Sequence, residues 1–505
     1  MSATFDDTWR GQAPEAGNIR AAGMGGRLGQ GTVALALATG CVVAASASAA
    51  VPIPEGPDAS TLPVFIGAPA TPHPSKGTTV PQNPFMAPNG RSNLHDDAYM
   101  TDSYKQSGPL GRAMTRSSTF LARECASAAF DAQGRLVTVC VGLDGPQLQL
   151  IDPHTLDTLA VFPLPPRIPS GGSPFTDFSG GGYFYLDNKD RAVIPTTTGH
   201  IWIVRENGNG FALDHDYDIT SAVPLGDKIE SALPDWSGRI WFVSARGVVG
   251  YVDPATGVVR SHETGEAIGN SFATDETGGV YVVTDAALYR FATAGDGRPV
   301  ATWRSTYPND GASKPGQTEI GSGTTPTITG PYVAITDNAD PIDIVVYRRA
   351  SGQPVCTQPV FQKGQSDTDQ SLNAAGNSLI AENNYGYSGP TATENGGSTA
   401  PGLERVDVGS DGCHKVWHSE ERAPSVVPKI SLGAGLVYTY TKEPRTDGKD
   451  AWYFTALDFR TGRTVYKRLA GEGLGFNNNY APVTLGPDGS AYVGVLGGLV
   501  ALRDG

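Results

Sequence analysis

A turn of the form Asp-x-x-Gly, set just before a short β run, recurs along this chain and constrains the fold more than any other feature. It stands as Asp131-Ala-Gln-Gly134, Asp235-Trp-Ser-Gly238 and Asp275-Glu-Thr-Gly278. Pro487-Asp-Gly489 is a shortened copy and Asp187-Asn-Lys-Asp190 a degenerate one. A second turn recurs as Asp253-Pro-Ala-Thr-Gly257 and Asp458-Phe-Arg-Thr-Gly462, with a looser copy at Asp152-Pro-His-Thr155. Asp, Asn and Gly serve here because they tolerate positive φ or bond their own backbone. Between the turns lie short runs rich in Val, Ile and aromatics, which read as strands. Glu230–His262 shows the unit most cleanly, with up to four such runs. One small sheet cannot bury both of its faces, so the unit needs copies of itself.

Eight units can be counted, beginning near Cys125, Thr176, Glu230, Asn270, Thr324, Asp369, Val427 and Asn478. Their spacing of roughly 40–55 residues is that of propeller blades. The expectation is an all-β, eight-bladed β-propeller over 113–505, with seven blades as the alternative and a pair of sandwiches as a more distant one. The last unit lacks a strand: three runs follow Tyr480, then the chain stops at Gly505. A ring left open exposes sheet edges. The segment Ala113–Leu121 is therefore expected to supply the missing outer strand.

Composition agrees with many turns: 64 Gly, 38 Pro and 17% charged residues. A formal net charge of −14 without a basic cluster argues against nucleic acid and anionic membrane surfaces as partners. Residues 1–50 read as an export signal, with Arg20 and Arg27 ahead of the apolar run Thr32–Ala45 and a cleavage site at Ala47-Ser-Ala49. Anchoring as a lipoprotein through Cys41 is the lesser alternative. No other apolar run is long enough to span a bilayer. The expected location is secreted or cell-envelope.

Signal removal leaves Cys125, Cys140, Cys356 and Cys413. An even count in an exported chain points to disulfides. If Phe130 faces Arg135 across the turn at Asp131–Gly134, Cys125 faces Cys140 closely enough for a bridge. Cys356 and Cys413 then pair with each other; metal binding is the alternative, without any CxxC spacing in its favour. Residues 51–112 are Pro-rich and lack apolar periodicity, so they read as an extended arm. His95-Asp-Asp97 and Asp102 read as a solvated loop in it, with a metal role as the lesser alternative. On that reading, removing the arm as far as Gly111 leaves cooperative unfolding intact.

The repeat resembles the quinoprotein-like, or PQQ-like, propeller family. The resembling residues are Gly247–Gly257, Gly489–Leu502 and the late-strand Trp303 and Trp417, within Cys125–Gly505. The chain also resembles a group of secreted actinobacterial propeller proteins of unassigned activity. The resemblance implies the fold. Two departures argue against redox chemistry and against PQQ as cofactor: the Gly-to-Trp spacings, Gly412 to Trp417 and Gly297 to Trp303, exceed the family's Gly-x-x-x-Trp, and no two cysteines adjoin as in the dehydrogenases.

In a propeller the short, stereotyped turns lie on one face and the long loops on the other, where function is expected. The long loops carry Asp177, Asp337, Asn338, Asp340, Glu382, Asn383, Asn384, Tyr385, Tyr387, Lys429, Asn477, Asn478 and Tyr480. Of these, Asp337, Asn338, Asp340, Glu382, Asn383, Asn384, Tyr385, Lys429, Asn478 and Tyr480 are the candidate ligand-binding residues, for a small-molecule or polymer ligand at the mouth. Glu230, Asn270, Asp369 and Asn479 begin inner strands of different blades and are the candidate ligands of an axial Ca2+. That arrangement is similar to calcium-dependent lactonase and phosphotriesterase propellers, in which the metal polarises the substrate. The plain alternative is that Asn, Asp and Gly are what loops are made of. No GxSxG elbow, HExxH or P-loop appears.

Overall fold

A computed structural model describes residues 47–505 apart from 168–173, 178, 209 and 225. The body of the export signal and Cys41 lie outside the described residues. Eight sheets follow one another around a ring, with inner strands beginning at Glu124, Tyr185, Ile229, Ala273, Thr327, Asn373, Lys429 and Val483. The count is eight, not seven, and the sheets are blades rather than stacked sandwiches. Among the described residues no helix is long and apolar enough to cross a membrane.

The recurring turns build this ring by side-chain chemistry. Asp235 Oδ1 accepts from the Ser237 and Arg239 backbone N–H groups, and its Oδ2 accepts from Trp241 Nε1. Asp275 repeats the pattern with Thr277, Gly279 and the Tyr281 hydroxyl. One carboxylate thus closes each turn and fixes the first aromatic of the next strand. The degenerate copies keep the backbone where the glycine is lost: Asp190 stands at φ +56° and Leu156 at φ +62°, the left-handed region that costs a side chain strain.

Neighbouring blades interlock through the late-strand tryptophans. Trp303 Nε1 donates to Arg349 O at 3.0 Å, and Trp417 Nε1 to Phe459 O at 2.9 Å, each on the next blade. The rings lie on Gly352 and Gly462, where an added Cβ would come within 2.6 and 2.5 Å of indole atoms. The longer Gly-to-Trp spacing therefore still docks the ring.

Closure follows the missing-strand argument. Thr115–Phe120 pairs antiparallel with Gly498–Arg503, Thr115 facing Arg503 and Phe120 facing Gly498. The last blade is thus made from both ends of the propeller segment. Cys125 lies opposite Cys140 in register and is bonded to it. Cys356–Cys413 joins the outer strands of the fifth and sixth blades.

The arm departs from the sequence reading. Phe65–Gly67 adds a strand outside Thr464–Glu472, and Ser103–Tyr104 runs parallel to Lys429–Ser431 inside the same sheet. Between them the chain winds across the turn face of the ring. Its carbonyls take inner-strand N–H groups in succession: Arg91 from Phe130, Ser92 from Leu186, Ala98 from Thr274, Tyr99 from Ile328, Thr101 from Ala374 and Asp102 from Ile430. The left-handed conformations of Asp96, Met100 and Asp102 accommodate that winding. His95, Asp96, Asp97 and Asp102 are buried, not solvated. The physical reason is pairing: Asp97 accepts from Tyr99 N and the Thr101 hydroxyl, and Asp102 from His95 and Lys429. The arm is a plug in the propeller's hole.

Two outcomes follow. A chain begun at Gly111 keeps the closing strand but exposes the sites filled by Met86, Tyr99, Met100 and Tyr104, each side chain worth about 1.5–3 kcal/mol of burial. It should melt well below a chain begun at residue 47, and equal melting in scanning calorimetry would overturn the plug. Replacing Cys356 and Cys413 by serine opens a 57-residue loop and should cost about 4 kcal/mol in denaturant unfolding on the chain-entropy account.

Candidate functional site

Because the plug seals one face, the hole through the ring becomes a blind cavity open toward the long loops. Its floor is Leu94 and His95 of the arm; its walls include Tyr183, Asn270, Asp369, Gln370, Asn479 and Tyr480. The volume is about 40 Å3, room for a small ion or a few waters.

Of the residues expected to bind ligand or metal, Asn270, Asp369, Asn479 and Tyr480 reach this cavity. Glu230 is buried, and that burial, with the Glu319 carboxylate adding to it, raises its pKa well above the ordinary value. Glu319, on the loop before the fifth blade, raises Asp369 as well. Its side chain occupies the space over Gly269, where an added Cβ would fall 2.1 Å from Glu319 Cγ. Sequence reasoning missed Glu319, Tyr183 and His95, and no local motif marks the first two.

The other candidates are occupied in bracing the loops. Asp337 Oδ1 accepts from the Ala339 and Asp343 N–H groups, and Asn338 Nδ2 donates to Asn309 Oδ1 and Ala312 O. Asp340 is exposed and accepts from Gly364 N. Asn383 bridges Gln365 O and Pro401 O while accepting from Tyr385 N. Asn384 accepts from Asp369 N and donates to Glu382. Asn478 donates to Ala481 O. Lys429 lies within the plugged channel, its ammonium bound to Asp102 and Leu94 O.

The wall has a definite polarity. The amide N–H groups of Asn270, Gln370 and Asn479 donate to protein: to Ser322 O, to Ser425 O, and to Glu124 Oε2 and Phe175 O. The Tyr480 hydroxyl donates to Gly316 O. Among the described residues, two buried atoms of the lining are left without a partner, Asp369 Oδ1 and His95 Nε2. Around them, burial raises the carboxyls: Asp369 to about 7, Asp367 to about 8 and Glu124 to about 8. Glu382 is also raised by burial. Asn479 and Tyr480 hold φ of +37° and +70°, a conformation that costs of order 1–3 kcal/mol for such residues and needs its surroundings to enforce it. The Tyr387 hydroxyl supplies part of that, donating toward Asn479 Oδ1 at 3.0 Å.

No family model matches the chain. An uncharacterized protein of Archaeoglobus fulgidus is 27% identical over 367 residues, which is 64% of this chain and 70% of that protein. The quinohemoprotein alcohol dehydrogenase of Comamonas testosteroni superposes with a TM-score of 0.56 at 11% identity, over 83% of this chain and 81% of its own. A europium-containing methanol dehydrogenase superposes with a TM-score of 0.51 at 12% identity, over 81% of this chain and 97% of its own. At such identities the likeness is one of fold. The chain has the fold of the quinoprotein-type, eight-bladed β-propellers.

The raised carboxyls set a pH dependence. Each binds its proton more tightly folded than unfolded, so the folded state holds more protons between the unfolded value near 4 and the folded value of 7–8. Their contribution to stability is present at pH 4–5 and is lost as pH rises through 7–8. The melting temperature should fall across that window, and Asp367→Asn should flatten the fall. An unchanged slope in Asp367→Asn would show that this carboxyl does not titrate there.

Proposed function

We propose that the chain is an exported β-propeller that binds a small, positively charged polar ligand in the axial cavity. The observation that carries this reading is the cavity wall: Asn270, Asp369, Asn479 and Tyr480, from three blades, line one cavity together with buried atoms that have no hydrogen-bond partner. A wall of that kind suits a hydrogen-bond donor bearing positive charge. The aromatic faces of Tyr183 and Tyr480 add to it. Export is supported by the signal-like residues 1–50 and by two disulfides, which persist in oxidising compartments.

A calcium-dependent hydrolase is the second reading, favoured by the free Asp369 Oδ1. The donor set fits calcium poorly. The amide oxygen of Asn479 already accepts from Tyr387, and Asp369 Oδ2 accepts from Thr318. Among the described residues no group of three or more His, Cys, Asp or Glu side chains is placed to hold a metal. A quinone cofactor fits less well still: about 40 Å3 is far short of the roughly 300 Å3 or more of a pocket for a drug-sized ligand.

The test is calorimetric titration of the mature chain with ammonium, methylammonium, ethanolamine and Ca2+. A cation entering beside Asp369 and Asp367 should lower their pKa values and release protons near pH 7–8, which the dependence of the heat on buffer ionisation reports. Asp369→Asn should weaken binding about tenfold or more, and Thr256→Ala, in a turn on the opposite face, should not. Retained affinity in Asp369→Asn with loss in Thr256→Ala would place the site on the wrong face.

A further inference from the structure

His95 is the one imidazole in the cavity floor, and it comes from the arm rather than from a blade. It is 2% exposed. Its Nδ1 lies 3.0 and 3.1 Å from the two oxygens of Asp102. Asp102 is fully buried and its backbone carbonyl takes the Ile430 N–H, so the carboxylate is anchored to the seventh blade. Lys429, itself fully buried, donates to the same carboxylate. An acceptor-only carboxylate at Nδ1 favours a ring proton there, and in that tautomer Nε2 offers a lone pair. The Tyr183 ring stacks on the imidazole at 6.2 Å and 18°, which holds its plane. Nε2 has no hydrogen-bond partner in the protein, and His95 lines the cavity.

A buried acceptor without a partner is costly unless something occupies it. The other orphan at this cavity is Asp369 Oδ1, an oxygen of a carboxyl that burial raises to about 7. The amide donors nearby are directed into protein, so the cavity offers a lone pair on its floor and a carboxylate on its wall. A ligand with several N–H donors and one positive charge answers both; a metal ion would need a third carboxylate or imidazole, and among the described residues none is so placed.

Resting on the reading of the axial cavity as a cation site, we propose that the N-terminal arm supplies a ligand-binding residue. His95, oriented by Asp102, accepts a hydrogen bond at Nε2 from a small primary ammonium whose charge faces Asp369. The arm is then part of the binding site as well as its floor, and Asp102 is a positioning residue.

Methylammonium is the probe, with tetramethylammonium as the control that keeps the charge and lacks N–H donors. In the full mature chain, methylammonium should bind and tetramethylammonium should not. His95→Phe, which keeps a ring in the floor but removes the acceptor, should weaken methylammonium about tenfold or more. Because that variant also tests packing, the intact chain gives a second readout: the 15N resonance of His95 Nε2, assigned by its loss in His95→Phe, should move on methylammonium addition in the direction of an accepted hydrogen bond. Full methylammonium affinity in a folded His95→Phe, or an unmoved Nε2 resonance at saturation, overturns the role of the arm while leaving the cavity as a site. Equal binding of tetramethylammonium overturns the donor requirement. Absence of binding by every amine, together with indifference to Asp369→Asn, overturns the cation site itself.

Discussion

Asp102 is the carboxylate on which the rest of the structure turns. It is fully buried, and it accepts from Lys429 on the seventh blade and from His95 on its own arm. A buried carboxylate is tolerated when paired and hydrogen-bonded, and losing one partner of such a pair typically costs about 3–5 kcal/mol. This one joins a segment near the start of the folded domain to a blade near its end. A ring of eight blades leaves a hole; filling it with side chains alone would demand a different residue in every blade. Here a single strand of chain runs around the inner edges and fills it, and the ion cluster pins that strand in register. The propeller and its arm are therefore one folding unit, and the blind cavity is a consequence of that pinning.

The blades were readable from the sequence because their determinants are local. Asp235 and Asp275 close their turns within four residues, and the glycine that completes each turn stands at a fixed offset. Closure was readable because a missing strand is an accounting problem with one nearby answer. The Cys125–Cys140 bridge followed from hairpin register alone. The plug was not readable for the opposite reason. Its charges are compensated at a distance: Lys429 and Asp102 are 327 residues apart in the chain, so His95-Asp-Asp97 and Asp102 look like a polar loop until the fold supplies the partner. The apolar Tyr99-Met100 within that polar stretch was the local sign of burial.

At the site the limit was different. Asn and Asp make loops and also bind ligands, and residue type does not separate the two uses. Asn383 and Asn384 spend their amides on Gln365, Pro401, Glu382 and Asp369, and Asp337 spends an oxygen on its own turn. Asn270, Asp369 and Asn479 were found by position: they lead into the inner strands that begin at Ala273, Asn373 and Val483. Glu319 escaped it because it sits on a loop and reaches the axis only by lying over Gly269.

Three separate departures from the most stable arrangement meet at the cavity. Carboxyls are buried without full compensation, so Asp369 and Asp367 are displaced to about 7 and about 8. Asn479 and Tyr480 stand in the left-handed region in succession. His95 Nε2 and Asp369 Oδ1 are left without partners. Any one of these occurs in folded proteins as an accident of packing. Their causes here are independent: desolvation, backbone strain and missing hydrogen bonds. The Asp337–Asp340 loop, expected to frame the site, combines a raised Asp337 with unpartnered atoms of its own, but its polar groups close its own turn and the neighbouring loop. What distinguishes the axial cavity is that its unsatisfied atoms belong to residues lining one common space, bounded by six blades and the arm. A local loop defect has no such space to serve, and a binding site requires one.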